Sequence, residues 1–139
     1  MKTKMIALLA LVAAPLLAAT PEFAPIGINN NRTARINAYF GAEPHLVPPG
    51  PCDGVIQLRF YDSTGGVLAE KTSRFSPTAV ESLEFTPARD TAARTQIRAQ
   101  ISWVEVPPGP CRGNVIANVE VYNNDTGETQ FVLPGTAQQ

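Results

Sequence analysis

Two cysteines, one histidine and a thin scatter of carboxylates are the residues of this chain best suited to chemistry. Cys52 and Cys111 end two copies of one hexapeptide, Val47-Pro-Pro-Gly-Pro-Cys52 and Val106-Pro-Pro-Gly-Pro-Cys111, 59 residues apart. His45 is the only histidine and lies among prolines, two residues ahead of the first copy. A Cys52–His45 pair would make an activated thiol, but only while the cysteine stays unpaired. The sequence holds no Gly-x-Ser-x-Gly nucleophile elbow and no glycine-rich phosphate loop. Two cysteines and a distant histidine also fall short of the four closely spaced ligands of a zinc site. No catalytic residue, no metal ligand and no cofactor are therefore expected.

The remaining polar motifs read most simply as structure. Glu70, Glu84 and Glu120 come singly, alternating with apolar residues, and should face solvent. Asp62 and the Asn124–Asp125 pair are oxygen-rich enough for calcium but too few, so turn capping is expected instead. Asn31-Arg-Thr33 and Asn124-Asp-Thr126 fit the glycosylation acceptor pattern. The Pro48–Pro51 and Pro107–Pro110 runs match the spacing read by polyproline grooves; as stiff segments they would place each cysteine at little entropic cost. Tyr39, Tyr61 and Tyr122 fall on outward positions of their strands, beside Arg35, Arg59 and Asn118, and form a candidate binding face on one sheet.

Export is written at the start of the chain. Met1 to Lys4 is a positive leader, Met5 to Ala14 an uncharged apolar run, and Pro15 to Ala19 a small-residue cleavage region. This is the pattern of a secretory signal peptide over residues 1–19, too short to span a bilayer. The expected location is secreted or periplasmic, with no membrane span after cleavage. Cleavage removes Lys2 and Lys4, so 11 − 2 = 9 basic residues face 12 acidic ones, a net charge near −3. No basic stripe is present, which argues against nucleic acid as a partner. In an oxidising compartment Cys52 and Cys111 are expected to pair. Closing a loop of roughly 60 residues would stabilise the fold by about 4 kcal/mol.

The elements that would position these residues are strands. Ala34, Ile36, Ala38 and Phe40 alternate with polar neighbours, as do Ile56, Leu58 and Phe60, then Ile97, Ala99, Ile101 and Trp103, then Val115, Ala117, Val119 and Val121. Period-two alternation buries one face of each strand. Asp62 to Gly66 turns the second strand into a partner at Val67 to Phe75, and Asn124 to Gly127 does the same before Thr129 to Leu133. Val80 to Thr86 adds another strand, and Ile26 to Ile28 a short piece at the edge. Ala88 to Arg94 has room for a helical turn and no more. Both halves run strand, proline motif, strand, turn, strand, and the approach strands open on Arg32-Thr33 and Arg94-Thr95. A half of about 60 residues is too small to bury its own face, so the two should pack as one body. The expected fold is all-β, an antiparallel β-sandwich of seven to eight strands with an internal pseudo-repeat. Residues 20–31 form a lead-in segment, 32–133 the sandwich and 134–139 a flexible tail.

The stretch from Val55 to Lys71 resembles the strand–turn–strand of immunoglobulin-like domains in uncharacterised bacterial exported proteins, and Val119 to Gly127 resembles their closing hairpin. The resemblance spans about residues 26–133 and implies an immunoglobulin-like sandwich and export; it carries no activity. Antibody domains set a tryptophan on an early strand against cysteines within strands. Here Trp103 is on a late strand and both cysteines precede strands, so the resemblance implies the sandwich rather than antibody-type order.

These observations lead to a non-catalytic exported module for interaction or structure, with an unknown protein or a surface glycan as partner. The alternatives are a protease inhibitor presenting the two proline loops, and a carbohydrate- or lipid-binding domain using the three tyrosines.

Overall fold

The computed structural model describes residues 21–40, 53–76, 79–88, 93–106 and 115–137. The proline loops, with His45, Cys52 and Cys111, the segment 89–92, and residues 1–20 lie outside the described residues, and so do the expectations placed on them.

The alternating segments all form strands: β3 (Arg32–Phe40), β4 (Gly54–Asp62), β5 (Val67–Phe75), β6 (Val80–Phe85), β7 (Thr95–Glu105), β8 (Val115–Asn123) and β9 (Thr129–Pro134). Two short pieces precede them, β1 (Pro21–Glu22) and β2 (Ile26–Ile28), and β10 (Thr136–Ala137) follows. All pairings are antiparallel, and the described residues contain no helix. One sheet runs β10-β1-β7-β4-β5, with β2 also on β7; the other runs β6-β3-β8-β9. The protein is an all-β sandwich of two antiparallel sheets.

The core is the face that alternation marks. Ala34, Ile36 and Ala38 from one sheet meet Ile56, Leu58 and Phe60 from the other, all fully buried, with Ile97, Ile101, Val119 and Val121 beside them. Phe60 and Phe85 touch across the sheets at 6.1 Å between ring centroids. Trp103 stands edge-on to Phe75 at 5.8 Å.

The repeat is realised by exchange of strands rather than by two packed halves. The first half contributes β2, β3, β4 and β5 in order; the second contributes β6, β7, β8 and β9. Replacing each by its counterpart turns the order β2-β7-β4-β5 into β6-β3-β8-β9, which is the other sheet. Each sheet is therefore three strands of one half, its hairpin included, completed by the approach strand of the other, β7 in one sheet and β3 in the other, and neither half has a complete sheet of its own. Both hairpins carry a register shift one residue before the turn, at Phe60/Tyr61 and at Val121/Tyr122. Both turns close on a glycine in the left-handed region, Gly65 (φ 89°) and Gly127 (φ 72°), where a side chain would be strained.

Three details differ from the sequence reading. The lead-in segment belongs to the sandwich, since Phe23, Ile26 and Ile28 are in the core. The tail is not all loose: Thr136 and Ala137 pair with β1, and Gly135 donates its N–H to Ala117 O at 2.9 Å. The approach strands match in another register, because Tyr122 faces Thr33 while its counterpart Tyr61 faces Arg98. Thr33 thus corresponds to Arg98, three residues beyond the Thr95 that similarity of letters suggests.

Candidate functional site

Ile28 pairs with Thr95, and a three-residue turn then delivers the chain to Arg32. The first residues of β3 and β7 therefore lie at one end of the sandwich. Asp62 is opposite Ile97 and Asn123 opposite Arg32, which brings both hairpin turns to that same end. Four separate stretches converge there, and their polar content follows from turn chemistry. Asparagine, aspartate, threonine and glycine are the residues that bend backbone while bonding to it.

Each turn is held by its own first residue. Asp62 Oδ1 accepts from Thr64 N (2.8 Å), Thr64 Oγ1 (2.7 Å) and Gly66 N (2.8 Å). The Thr64 hydroxyl, then the Gly66 and Thr64 N–H groups, hold the Asp62 carboxyl below its ordinary pKa. The matching residue in the second hairpin is Asn123, not Asn124: its Oδ1 accepts from Asp125 N at 2.7 Å. Capping therefore occupies Asp62 as expected. Asn124 is freed for another task, accepting at 2.7 Å from Thr33 Oγ1, which also bonds Thr86 Oγ1 at 2.5 Å. Thr33 has outward parity on β3 yet is only 4% exposed, a polar pin under the turns.

Three open depressions mark this end. One, of about 480 Å³, lies between the first hairpin turn and the start of β7, lined by Pro25, Asp62, Thr64, Gln96 and Arg98. Its counterpart of about 420 Å³ is lined by Asn30, Asn31, Thr86, Asn124 and Asp125. The third, about 330 Å³, is bounded by Gly27, Asn29, Arg32 and Arg94. Asn29 Oδ1, Asn31 Oδ1 and Arg32 Nε are shielded from solvent and have no hydrogen-bond partner among the described residues. Buried polar atoms normally find partners, so three orphans at one end need an explanation. Together these groups can bind by hydrogen bonding.

The tyrosines do not form one patch. Tyr61 is on the outer face of the β4 sheet, whereas Tyr39 and Tyr122 are on the other sheet. Tyr122 lies opposite Thr33, six residues from Tyr39 along β3, or about 20 Å. Tyr61 is half-buried: Arg59 Nη1 donates to its hydroxyl at 3.2 Å, and the Arg98 guanidinium lies 5.6 Å from its ring centre. The bond to Tyr61, then that to Glu70, raises the Arg59 pKa. Tyr122 has the Arg35 guanidinium 5.0 Å from its ring centre. Tyr39 alone is exposed, in a cross-strand row with Val80 and Ile116. The glutamates face outward as expected, though not singly: Arg35 bridges Glu84 at 2.5 Å and Glu120 at 3.9 Å, and Arg59 meets Glu70 at 3.2 Å.

Reading the strands one at a time misses the end site, because its residues come from 25–33, 62–66, 86 and 94–98, and 123–126. The signals in the sequence are the run Asn29-Asn30-Asn31 directly ahead of Arg32, and Arg94 at the opening of the other approach strand. No family model matches the chain, and neither curated proteins nor solved structures give a match.

Proposed function

We propose that this chain is an exported binding module that holds a polar ligand, on a surface glycan or a protein, at the turn-bearing end of its sandwich. One observation carries the reading: this end gathers three depressions and three shielded polar atoms without partners. Leaving a polar group buried and unpaired costs about 1–3 kcal/mol, and a bound ligand recovers that loss. Strands supply a rigid frame and loops at one end supply the contacts, a division common to binding sandwiches. The leader over residues 1–19 supports export, and the lack of a nucleophile–base set in the sequence supports binding over catalysis.

The test compares the mature protein with an Asn29→Ala/Asn31→Ala variant, by glycan array and by cross-linking in the native envelope or culture fraction. A ligand held at least tenfold less well by the variant, at matched folding, is the expected outcome. Equal retention by both proteins would overturn the assignment, as would a turnover abolished by one substitution elsewhere.

A further inference from the structure

The depression between β2 and the start of β7 has the chemistry of an oxyanion site. Arg32 and Arg94 both line it, with Asn29 between the ends of the two strands they flank. Among the described residues neither arginine has a carboxylate within ion-pair distance, in contrast to Arg35, Arg59 and Arg74. Arg32 Nε is shielded and unbonded. A guanidinium donor removed from water without an acceptor is costly, and the matching acceptor is an anion. Among the described residues Arg94 makes one side-chain bond, Nε to Gly27 O at 3.0 Å, and its terminal donors have no partner there. Gly27 makes that position possible: a Cβ there would run into the Arg94 side chain, with its Cδ at 2.9 Å. Rotating the Asn29 amide by half a turn presents Nδ2–H in place of the unpaired Oδ1. A volume near 330 Å³ admits a carboxylate or sulfate group with part of the sugar or side chain that bears it.

We propose that Arg32, Arg94 and Asn29 bind an oxyanion, a carboxylate or sulfate ester, on the ligand of this module. The proposal rests on the reading of the turn-bearing end as the binding end and names the chemistry of its ligand.

The experiment is a titration of the ¹⁵N-labelled mature protein with sodium sulfate and with sodium glucuronate, against sodium chloride at equal ionic strength. The Arg32 and Arg94 Nε–H and Asn29 Nδ2–H signals should shift saturably with one of the oxyanions and not with chloride. Arg32→Gln and Arg94→Gln should each weaken binding about tenfold or more, the scale of a lost charge-assisted hydrogen bond. Gly27→Ala should weaken it too, by displacing Arg94 while leaving the melting temperature close to that of the parent. Arg74→Gln, at the far end of β5 from the hairpin turn and paired with Asp53, should bind as the parent does. Shifts that do not saturate, or that survive both Arg32→Gln and Arg94→Gln, would overturn the proposal. Capture of a neutral glycan by the Asn29 and Asn31 groups, with no oxyanion response, would also overturn it and leave the broader binding role standing. A ligand unaffected by the Asn29→Ala/Asn31→Ala pair removes both.

Discussion

Replacing Thr33 by valine tests how the turn-bearing end is held together. The substitution keeps the branched shape of a residue only 4% exposed and deletes one hydroxyl. That hydroxyl joins three parts of the chain: β3, Thr86 after β6, and Asn124 in the β8–β9 turn, at 2.5 and 2.7 Å. Each net hydrogen bond is worth about 0.5–1.5 kcal/mol, so two give about 1–3 kcal/mol. Thr86 and Asn124 are themselves exposed and can turn to water, which argues for the lower part of that range, about 1–2 kcal/mol. With a urea slope of about 2 kcal/mol/M, the middle of the usual range, the unfolding midpoint should fall by roughly 0.5–1 M with the slope unchanged. A double-mutant cycle with Asn124→Ala should return a coupling of at least about 0.5 kcal/mol. A Thr33→Val protein within 0.5 kcal/mol of the parent, with no coupling to Asn124, would refute the pinning role.

Further tests address the turns and the closure of the sheets. Gly127→Ala and Gly65→Ala each force a side chain into the left-handed region and should cost about 1–2 kcal/mol, similar for both because the turns are counterparts; a neutral effect at either, read by urea unfolding, would contradict that equivalence. Gly135→Ala would place a Cβ 2.7 Å from the Pro21 Cβ and 3.0 Å from the Phe23 ring, and should cost about 1–3 kcal/mol by overpacking; no loss in thermal stability would argue against the β1–β10 closure. The Asp62 carboxyl is depressed in the folded protein, so its contribution is fully present above the unfolded pKa, near 3.9, and is lost as pH falls through the folded value. The stability advantage of the parent over Asp62→Asn should therefore shrink between pH 5 and pH 3, and an advantage constant across that range would show that the carboxylate is not stabilised by its turn.

Strand positions and their inward faces were legible because alternation is a local signal: Ala34, Ile36 and Ala38, or Val115 to Val121, announce their burial residue by residue. The turns were legible for a similar reason, since Asp62 and Gly65 do their work within five residues. Parity says whether a side chain points in or out but not which sheet carries it, so it groups Tyr61 with Tyr39 and Tyr122 although a different sheet holds Tyr61. The short pieces β1, β2 and β10 lack the length for a period, and each is placed by pairing with a strand supplied by a distant part of the chain. The strand exchange was hidden for the same reason: a repeat in sequence shows that two halves are alike, not which half each strand pairs with. Thr33 shows the limit most plainly. Its parity is outward, and only the arrival of Thr86 and Asn124 buries it.

The most direct test of the proposed binding end is an amide spectrum of the ¹⁵N-labelled protein from residue 20 onward, with and without an extract of its own source. Binding at the turn-bearing end should move the signals of residues 25–33, 62–66, 94–98 and 123–126 together and leave the outer strand faces unchanged. Shifts gathered instead around Tyr39, Val80 and Ile116 would contradict the assignment and move the site to the opposite part of the β3 sheet.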